Sequence, residues 1–195
     1  MLLCYVHGFL SGPTAAKAKA LQAYLQEHEP TVQFWALDFP DTPREAFASL
    51  QSQLSKWRQE HPQESMVLVG SSMGGFFSTL LGAQLACKMV LLNPCTHPQK
   101  YFRYLIGPQH NQLTDRHFEL TADMLPYLQQ LDKDTVIRPE LTQVYLGGQD
   151  EVLDYRLSLL RYNNCDIRFV PDEDHAFTHN FAALIPEIMR FAHAQ

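Results

Sequence analysis

Residues 67–75 read VLVGSSMGG. An apolar run stops at Gly70, two serines follow, and Gly74 and Gly75 lie just beyond. Gly70-Ser71-Ser72-Met73-Gly74 fits the pattern G-x-S-x-G, in which the central serine sits on a sharp strand-to-helix turn. That frame selects Ser72. A frame centred on Ser71 needs glycine at 69 and 73, where the chain has Val69 and Met73. The middle residue of such a turn holds a strained backbone conformation. Its flanking glycines let neighbouring backbone come close. The turn lifts the Ser72 hydroxyl above a sheet at the start of a helix. Ser71 is left a structural role beside it. The bland alternative is a tight glycine turn with no chemistry.

The surrounding pattern decides between these readings. SMVLVG (65–70) reads as a strand, and Phe76, Phe77, Leu80 and Leu81 mark a helix after it. Upstream, LLCYV (2–6) is a buried strand ending at His7-Gly8. Ala18, Leu21 and Leu25 then give helical spacing, VQFWAL (32–37) a second strand, and Phe47, Leu50, Leu54 and Trp57 one face of a second helix. Downstream, KMVLLN (88–93), TQVYLGG (142–148) and DIRFVP (166–171) are further strands. VLDYRLSLLRY (152–162) reads as a helix. A closing helix is marked by Phe177, Phe181, Leu184, Ile185 and Ile188, with His179 on its first turn. Strands alternating with amphipathic helices predict an α/β fold in three layers: a mostly parallel six-stranded sheet with helices on both faces. A single domain spans 1–195. Residues 94–138, rich in turn signals, form a small cap-like insertion with short helices expected around YFRYLI (101–106) and ADMLPYLQQL (122–131).

In a parallel sheet the ends of successive strands share one edge, where ligands bind. His7, Ser72, Asp150 and His175 all fall there. A serine hydroxyl needs a neighbouring base to become a nucleophile. His175, in PDEDHAF between the last strand and the last helix, is the candidate. The base needs an acceptor to hold its tautomer. Asp150, in LGGQDEVLD, is favoured, with Asp154 and Glu151 as alternatives; Asp172, Glu173 and Asp174 read as a solvated acidic loop. The backbone N–H groups of Met73 and Phe9 are the expected oxyanion donors. Gly8 permits the turn that aims Phe9, and His7 shapes the loop. Phe76, Phe77, Tyr101, Phe102, Tyr104, Leu105 and Phe118 are candidates for an apolar acyl pocket, although ordinary packing explains each equally well. The chain order serine, aspartate, histidine is that of α/β-hydrolases.

Composition agrees with a globular enzyme. At 46% apolar and 18% charged residues the chain is not disordered. A formal charge of −6, with no basic run, argues against a nucleic-acid partner. Cys4, Cys87, Cys95 and Cys165 are scattered and read as reduced thiols. No histidine and cysteine set has zinc spacing, and no metal or other cofactor is expected. MLLCYVHGF lacks the basic start of a signal peptide. No apolar run approaches the roughly 18 residues of a membrane span, so the expected location is cytoplasmic. Oligomeric state is not legible.

HGFLSGP, VGSSMGG, LLNP, GGQDEVLDY and DHAF together resemble the YqiA-like esterases, a family of small bacterial α/β-hydrolases, over nearly the whole chain. The resemblance implies a compact cytoplasmic esterase acting on short acyl esters or acyl thioesters such as acyl-CoA. It places the nucleophile on Ser72, the acid on Asp150, the base on His175 and the oxyanion loop on His7-Gly8-Phe9. Met73 stands where the family commonly has leucine, which keeps the apolar bulk. The expected activity is a serine esterase working through an acyl-enzyme. The alternatives are a thioesterase or acyltransferase on the same fold, and a non-catalytic binding protein that kept the fold.

Overall fold

The computed structural model describes residues 1–194. The chain runs β1 (Leu2–Val6), α1 (Ala16–His28), β2 (Gln33–Ala36), α2 (Pro43–Glu60), β3 (Met66–Ser71), α3 (Met73–Leu85), β4 (Lys88–Leu92), α4 (Gln99–Phe102), β5 (Gly107–Asn111), β6 (Arg116–Leu120), α5 (Met124–Lys133), β7 (Thr142–Gln149), α6 (Tyr155–Arg161), β8 (Asp166–Asp174) and α7 (Phe181–His193). Six strands form one sheet in the order β2-β1-β3-β4-β7-β8, and every neighbouring pair is parallel. β5 and β6 form a separate antiparallel hairpin.

Period-two alternation along the strands builds two cores. Leu2, Cys4 and Val6 of β1 face the side covered by α2 and α3, together with Leu68, Leu91 and Val144. Leu3 and Tyr5 face the opposite side with Val69, Val90 and Tyr145, under Leu21 of α1 and Ile185 and Ile188 of α7. Both faces are therefore apolar, as a parallel sheet between helices requires. Local signals fix the helix ends. Pro43 opens α2 behind Thr42, whose hydroxyl bonds the Glu45 carboxylate. α3 closes on Ala86 in the left-handed conformation, its N–H returning to the Gly82 carbonyl, which also accepts the Cys87 N–H at 3.1 Å.

Three expectations are corrected. The helix around 101–106 shrinks to the single turn Gln99–Phe102, and the chain then enters the unforeseen β5–β6 hairpin. The helix over 152–162 starts only at Tyr155, with Asp154 as its N-cap, accepting from the Arg156 N–H. The closing helix starts at Phe181, because Phe177 has φ +53° and turns its ring into the core. His179 consequently lies in the turn before that helix.

The insertion is fastened at both ends. Asn111 Nδ2 donates to the Ser11 carbonyl at 2.8 Å, and Arg116 grips both Asp38 oxygens at 2.8 Å. On the other side Asp132 of α5 meets Arg161 of α6 at 2.6 Å. The β7–β8 pair is in step from Gln143↔Asp166 to Gly147↔Val170, but Gln149 then pairs with Asp174. Surplus chain on β8 thus bulges just before His175. All four cysteines are free; Cys4, Cys87 and Cys95 are buried. Among the described residues no helix is long and apolar enough to cross a membrane.

Candidate active site

Ser72 stands between the end of β3 and the start of α3 with φ +55° and ψ −119°. That backbone is costly for a residue with a Cβ, and the surroundings enforce it. The Ser72 N–H bonds the Leu92 carbonyl at 3.0 Å. Its own carbonyl accepts from Gly75 (2.9 Å), Phe76 (3.2 Å) and Cys95 (2.9 Å). Glycine is required on both sides. A Cβ on Gly74 would land on the Val6 and His7 carbonyl oxygens. One on Gly70 would sit 2.6 Å from the Gly74 oxygen and 2.8 Å from the Gly75 Cα. Ser71 ends β3 and is buried, as is Tyr5, whose hydroxyl pKa burial pushes up.

His175 Nε2 lies 3.0 Å from Ser72 Oγ. Its Nδ1 lies 3.0 Å from each oxygen of Asp150. Nδ1–H donates to the carboxylate, so Nε2 carries the lone pair and accepts the Ser72 O–H. The Asp150 side chain is 1% exposed and that of His175 18%, so the carboxylate is shielded while the imidazole edge reaches the cavity. Asp150 is held in turn, Oδ1 accepting from the Val152 and Leu153 N–H groups at 2.9 and 2.8 Å. The other carboxylates have different tasks. Glu151 Oε2 accepts the His175 backbone N–H at 3.0 Å, and Asp154 pairs with Arg156. Asp174 takes the Thr178 hydroxyl, which draws its pKa down. Glu173, expected in a solvated loop, is instead buried and accepts from the Asn180 N–H at 2.5 Å.

Asn93 was not singled out in the sequence. It follows β4 with φ +41° and is 2% exposed. Its Nδ2 donates to the carbonyls of Asp174 (3.0 Å) and His175 (3.1 Å), and its Oδ1 accepts from the Gly147 N–H at 2.7 Å. An Asn-Pro pair closing an apolar strand was the available signal.

On the other side of Ser72 runs the loop after β1. A Cβ on Gly8 would stand 3.2 Å from Ser72 Cβ and 3.3 Å from the Ser71 carbonyl oxygen, so glycine here spares the elbow a shift of a few tenths of an ångström. Met73 is the first residue of α3, and its N–H has no carbonyl one turn back. His7 is buried, stacked on Phe39 with centroids 3.9 Å apart, and donates from Nδ1 to the Gly8 carbonyl at 2.9 Å. Its Nε2 is buried with no hydrogen-bond partner among the described residues. Burial pulls the His7 pKa below its ordinary value, with the Gly8 hydrogen bond opposing. In the unfolded chain this imidazole takes a proton as the pH falls through about 6.5. In the folded chain it stays neutral further down. The unfolded state then binds more protons, so His7 subtracts stability below about pH 6.5, and that stability returns as pH rises. His7→Asn keeps a donor for Gly8 and does not titrate. Its denaturation midpoint is expected to fall less than wild type between about pH 7.5 and 5.5.

A cavity of about 540 Å³ opens at Ser72 and His175. It lies between the start of α1 and the turn before α7, walled by Phe9, Phe177, Phe181 and several alanines, with Lys17 and His179 at its polar side. Phe76, Tyr101, Phe102 and Phe118, the acyl-pocket candidates, do not line it. Phe76 is fully buried in the core between the sheet and its helices. Phe102 and Phe118 pack edge-on against Phe9, at 4.9 and 6.0 Å, and close the insertion side instead. Tyr101 is partly buried, packs against that same core and accepts the Asp154 N–H on its hydroxyl at 3.3 Å.

Two clusters bring metal-type ligands together: His110, Asp115 and His117 on the exposed hairpin, and Glu173, Asp174 and His179. Both sets are already engaged. The His110 and His117 rings stack in parallel at 4.0 Å, which keeps one ion out of the plane of one ring or the other. Glu173 and Asp174 hold the turn before α7.

Comparison with known proteins places this geometry. The model of the "Uncharacterised protein family (UPF0227)" matches residues 2–193. A UPF0227 protein of Pectobacterium atrosepticum is 23% identical over 190 residues, covering 97% of this chain and 96% of its own. One from Yersinia pseudotuberculosis is 24% identical over 153 residues, covering 78% and 77%. Among solved structures, Est1E from Butyrivibrio proteoclasticus superposes with a TM-score of 0.77 at 17% identity, covering 100% of this chain and 88% of that one. XC6422 from Xanthomonas campestris, described as an α/β serine hydrolase without a lid, gives 0.64 at 13% identity, covering 100% and 84%. The fold is that of the α/β-hydrolases, and the chain belongs to the UPF0227, YqiA-like family.

Proposed function

We propose that the protein is a serine esterase that hydrolyses short to medium acyl esters through an acyl-enzyme, acting in the cytoplasm. The carrying observation is the continuous hydrogen-bonded line from Ser72 Oγ through His175 to Asp150, raised on a positive-φ turn. In the first step His175 Nε2 takes the Ser72 proton as Oγ attacks the carbonyl carbon. The N–H groups of Phe9 and Met73 receive the negative charge that develops on the carbonyl oxygen. Each such donor is worth roughly 10²–10³ in rate. His175 then protonates the departing alcohol. Water, deprotonated by the same nitrogen, releases the acid from Ser72. Asp150 holds the imidazole and stabilises its charged form. No step calls on a metal.

The largely apolar cavity supports an acyl chain as its occupant, and its size is within the ordinary range for small-molecule sites. Ferulic acid bound to Est1E is consistent with an aromatic or medium acyl group on this fold. The 94–138 insertion is a small cap on a single domain, closing one side of Ser72 rather than lining the substrate. Lys17, half-buried at the cavity with its ammonium on the Ala176 carbonyl, favours a second reading. A thioester with an anionic arm, such as an acyl-CoA, gains from a cation there. A panel of p-nitrophenyl esters and acyl-CoAs of graded chain length separates the two. Esters are expected to show a maximum in kcat/KM at short to medium length. Preference for acyl-CoA at matched acyl length, lost in Lys17→Ala, overturns the ester reading in favour of the thioesterase.

A further inference from the structure

We propose that Asn93 is a positioning residue, the strut that holds the His175 loop in reach of the nucleophile; this rests on the serine-esterase reading of the site. The problem it solves follows from strand order. Ser72 leaves β3 and His175 leaves β8, with β4 and β7 between them. Three strand spacings of about 4.8 Å separate the two take-off points by roughly 14 Å. The imidazole reaches Ser72 only because its loop folds back over the tips of β7 and β4. Asn93 is at the tip of β4, one strand spacing from Ser72 along that path.

Its amide meets three backbone groups from the two elements that carry the base and the acid. Both Nδ2 hydrogens are taken, by the carbonyls of Asp174 and of His175 itself. Oδ1 takes the Gly147 N–H, two residues along β7 from where that strand ends before Asp150. The opposite amide orientation faces an oxygen to two carbonyls and an NH2 to an N–H, so the network admits one orientation. Other side chains support the loop as well: Glu151 holds the His175 N–H and Lys17 the Ala176 carbonyl. Glu151 is exposed and Lys17 half-buried, whereas Asn93 is sealed from solvent. A buried hydrogen bond has no water to replace it when it is lost.

Residue type matters at this position in two ways. The φ of +41° is one that asparagine tolerates better than most residues. The amide supplies two donors and an acceptor at the reach of one methylene. Aspartate has the shape without the donors, glutamine is one methylene too long, and serine has a single hydroxyl.

The test uses two variants that separate backbone from amide. Asn93→Gly keeps the positive φ and removes all three side-chain bonds. Asn93→Asp keeps the shape and the acceptor for Gly147 but loses both donors. Each is compared with wild type by thermal unfolding, by kcat and KM on one p-nitrophenyl ester, and by the low-field proton signal of His175 Nδ1–H. The expected result is folded protein with kcat lowered about 10²-fold, the cost of misplacing a reacting group by about 1 Å, at a KM within a few-fold of wild type. The low-field signal is expected to be lost or broadened in both. A residue that merely stabilises the fold lowers the melting temperature and leaves kcat and that signal in place below it. That outcome overturns the proposal, as does a folded variant with kcat close to wild type. Should Asn93→Gly fail to fold, Asn93→Asp decides by the same readings. Should wild type hydrolyse no ester and resist fluorophosphonate, the esterase reading fails, and the Nδ1–H signal, which needs no substrate, still decides the role of Asn93.

Discussion

Ser72→Ala is expected to lower kcat/KM for ester hydrolysis by roughly 10⁴-fold or more, on the scale seen when a serine of this kind is removed. The variant loses one oxygen atom and little else. Alanine keeps the Cβ that already tolerates φ +55°, and the backbone bonds to Leu92, Gly75, Phe76 and Cys95 do not involve the hydroxyl. The melting temperature is therefore expected to stay near that of wild type. Ser71 cannot substitute, because it is buried and the imidazole is bonded to the Ser72 hydroxyl, not to its own. Labelling by a fluorophosphonate should vanish in parallel with activity. A folded Ser72→Ala protein that keeps a tenth of the wild-type rate removes Ser72 from the chemistry.

The second large effect is expected from Asp150→Asn, about 10⁴-fold in kcat by the tautomer argument. Asp150 Oδ1 accepts from the Val152 and Leu153 N–H groups as well as facing His175. An asparagine must keep its oxygen on those two N–H groups, which turns its NH2 toward His175 Nδ1. Nδ1 then accepts, the imidazole proton moves to Nε2, and the atom facing Ser72 has no lone pair to take a proton. The comparison that makes the test specific is with the two neighbouring carboxylates. Asp154→Asn keeps a side-chain oxygen to cap the helix and loses only the charge opposite Arg156 at the surface, and is expected to leave kcat within a few-fold. Glu151→Gln weakens only the hold on the His175 backbone N–H and is expected to fall between them. Equal losses in Asp150→Asn and Asp154→Asn contradict the assignment. Rates are read on one ester at saturating concentration, with folding checked by circular dichroism.

Much of the arrangement was legible because it is local. The elbow announces itself in five residues, since glycine at 70 and 74 is the direct result of backbone crowding against Val6, His7 and Gly75. The sheet was legible because strands buried on both faces are continuous apolar runs, as in LLCYV and KMVLL. The hairpin was hidden for the opposite reason. Its strands GPQHN and RHFEL are short, polar and half exposed, and Pro108 discourages reading a strand at all. Phe177 and Phe181 were misread together: four residues apart, they mimic one helical face, yet Phe177 reaches the core from a left-handed turn. The acyl-pocket candidates were drawn from aromatic residues near the insertion. Sequence does not say on which side of Ser72 the space lies, because that depends on how α1 and the turn before α7 stand apart. Asn93 left only the Asn-Pro pair after an apolar strand as its signal, since its partners are backbone atoms, which leave no mark in composition.

The bulge near the end of β8 has a further consequence. Between Val170 and Asp174 the strand carries more chain than its neighbour needs, and this slack is what lets His175 arrive at Ser72. Deleting one residue there withdraws roughly 3.3 Å of reach, as much as the whole 3.0 Å separation between imidazole and hydroxyl. Pro171 and Asp172 are exposed, so their side chains are free to drift. Their number is not: the segment is a gauge, and what it transmits to the chemistry is length.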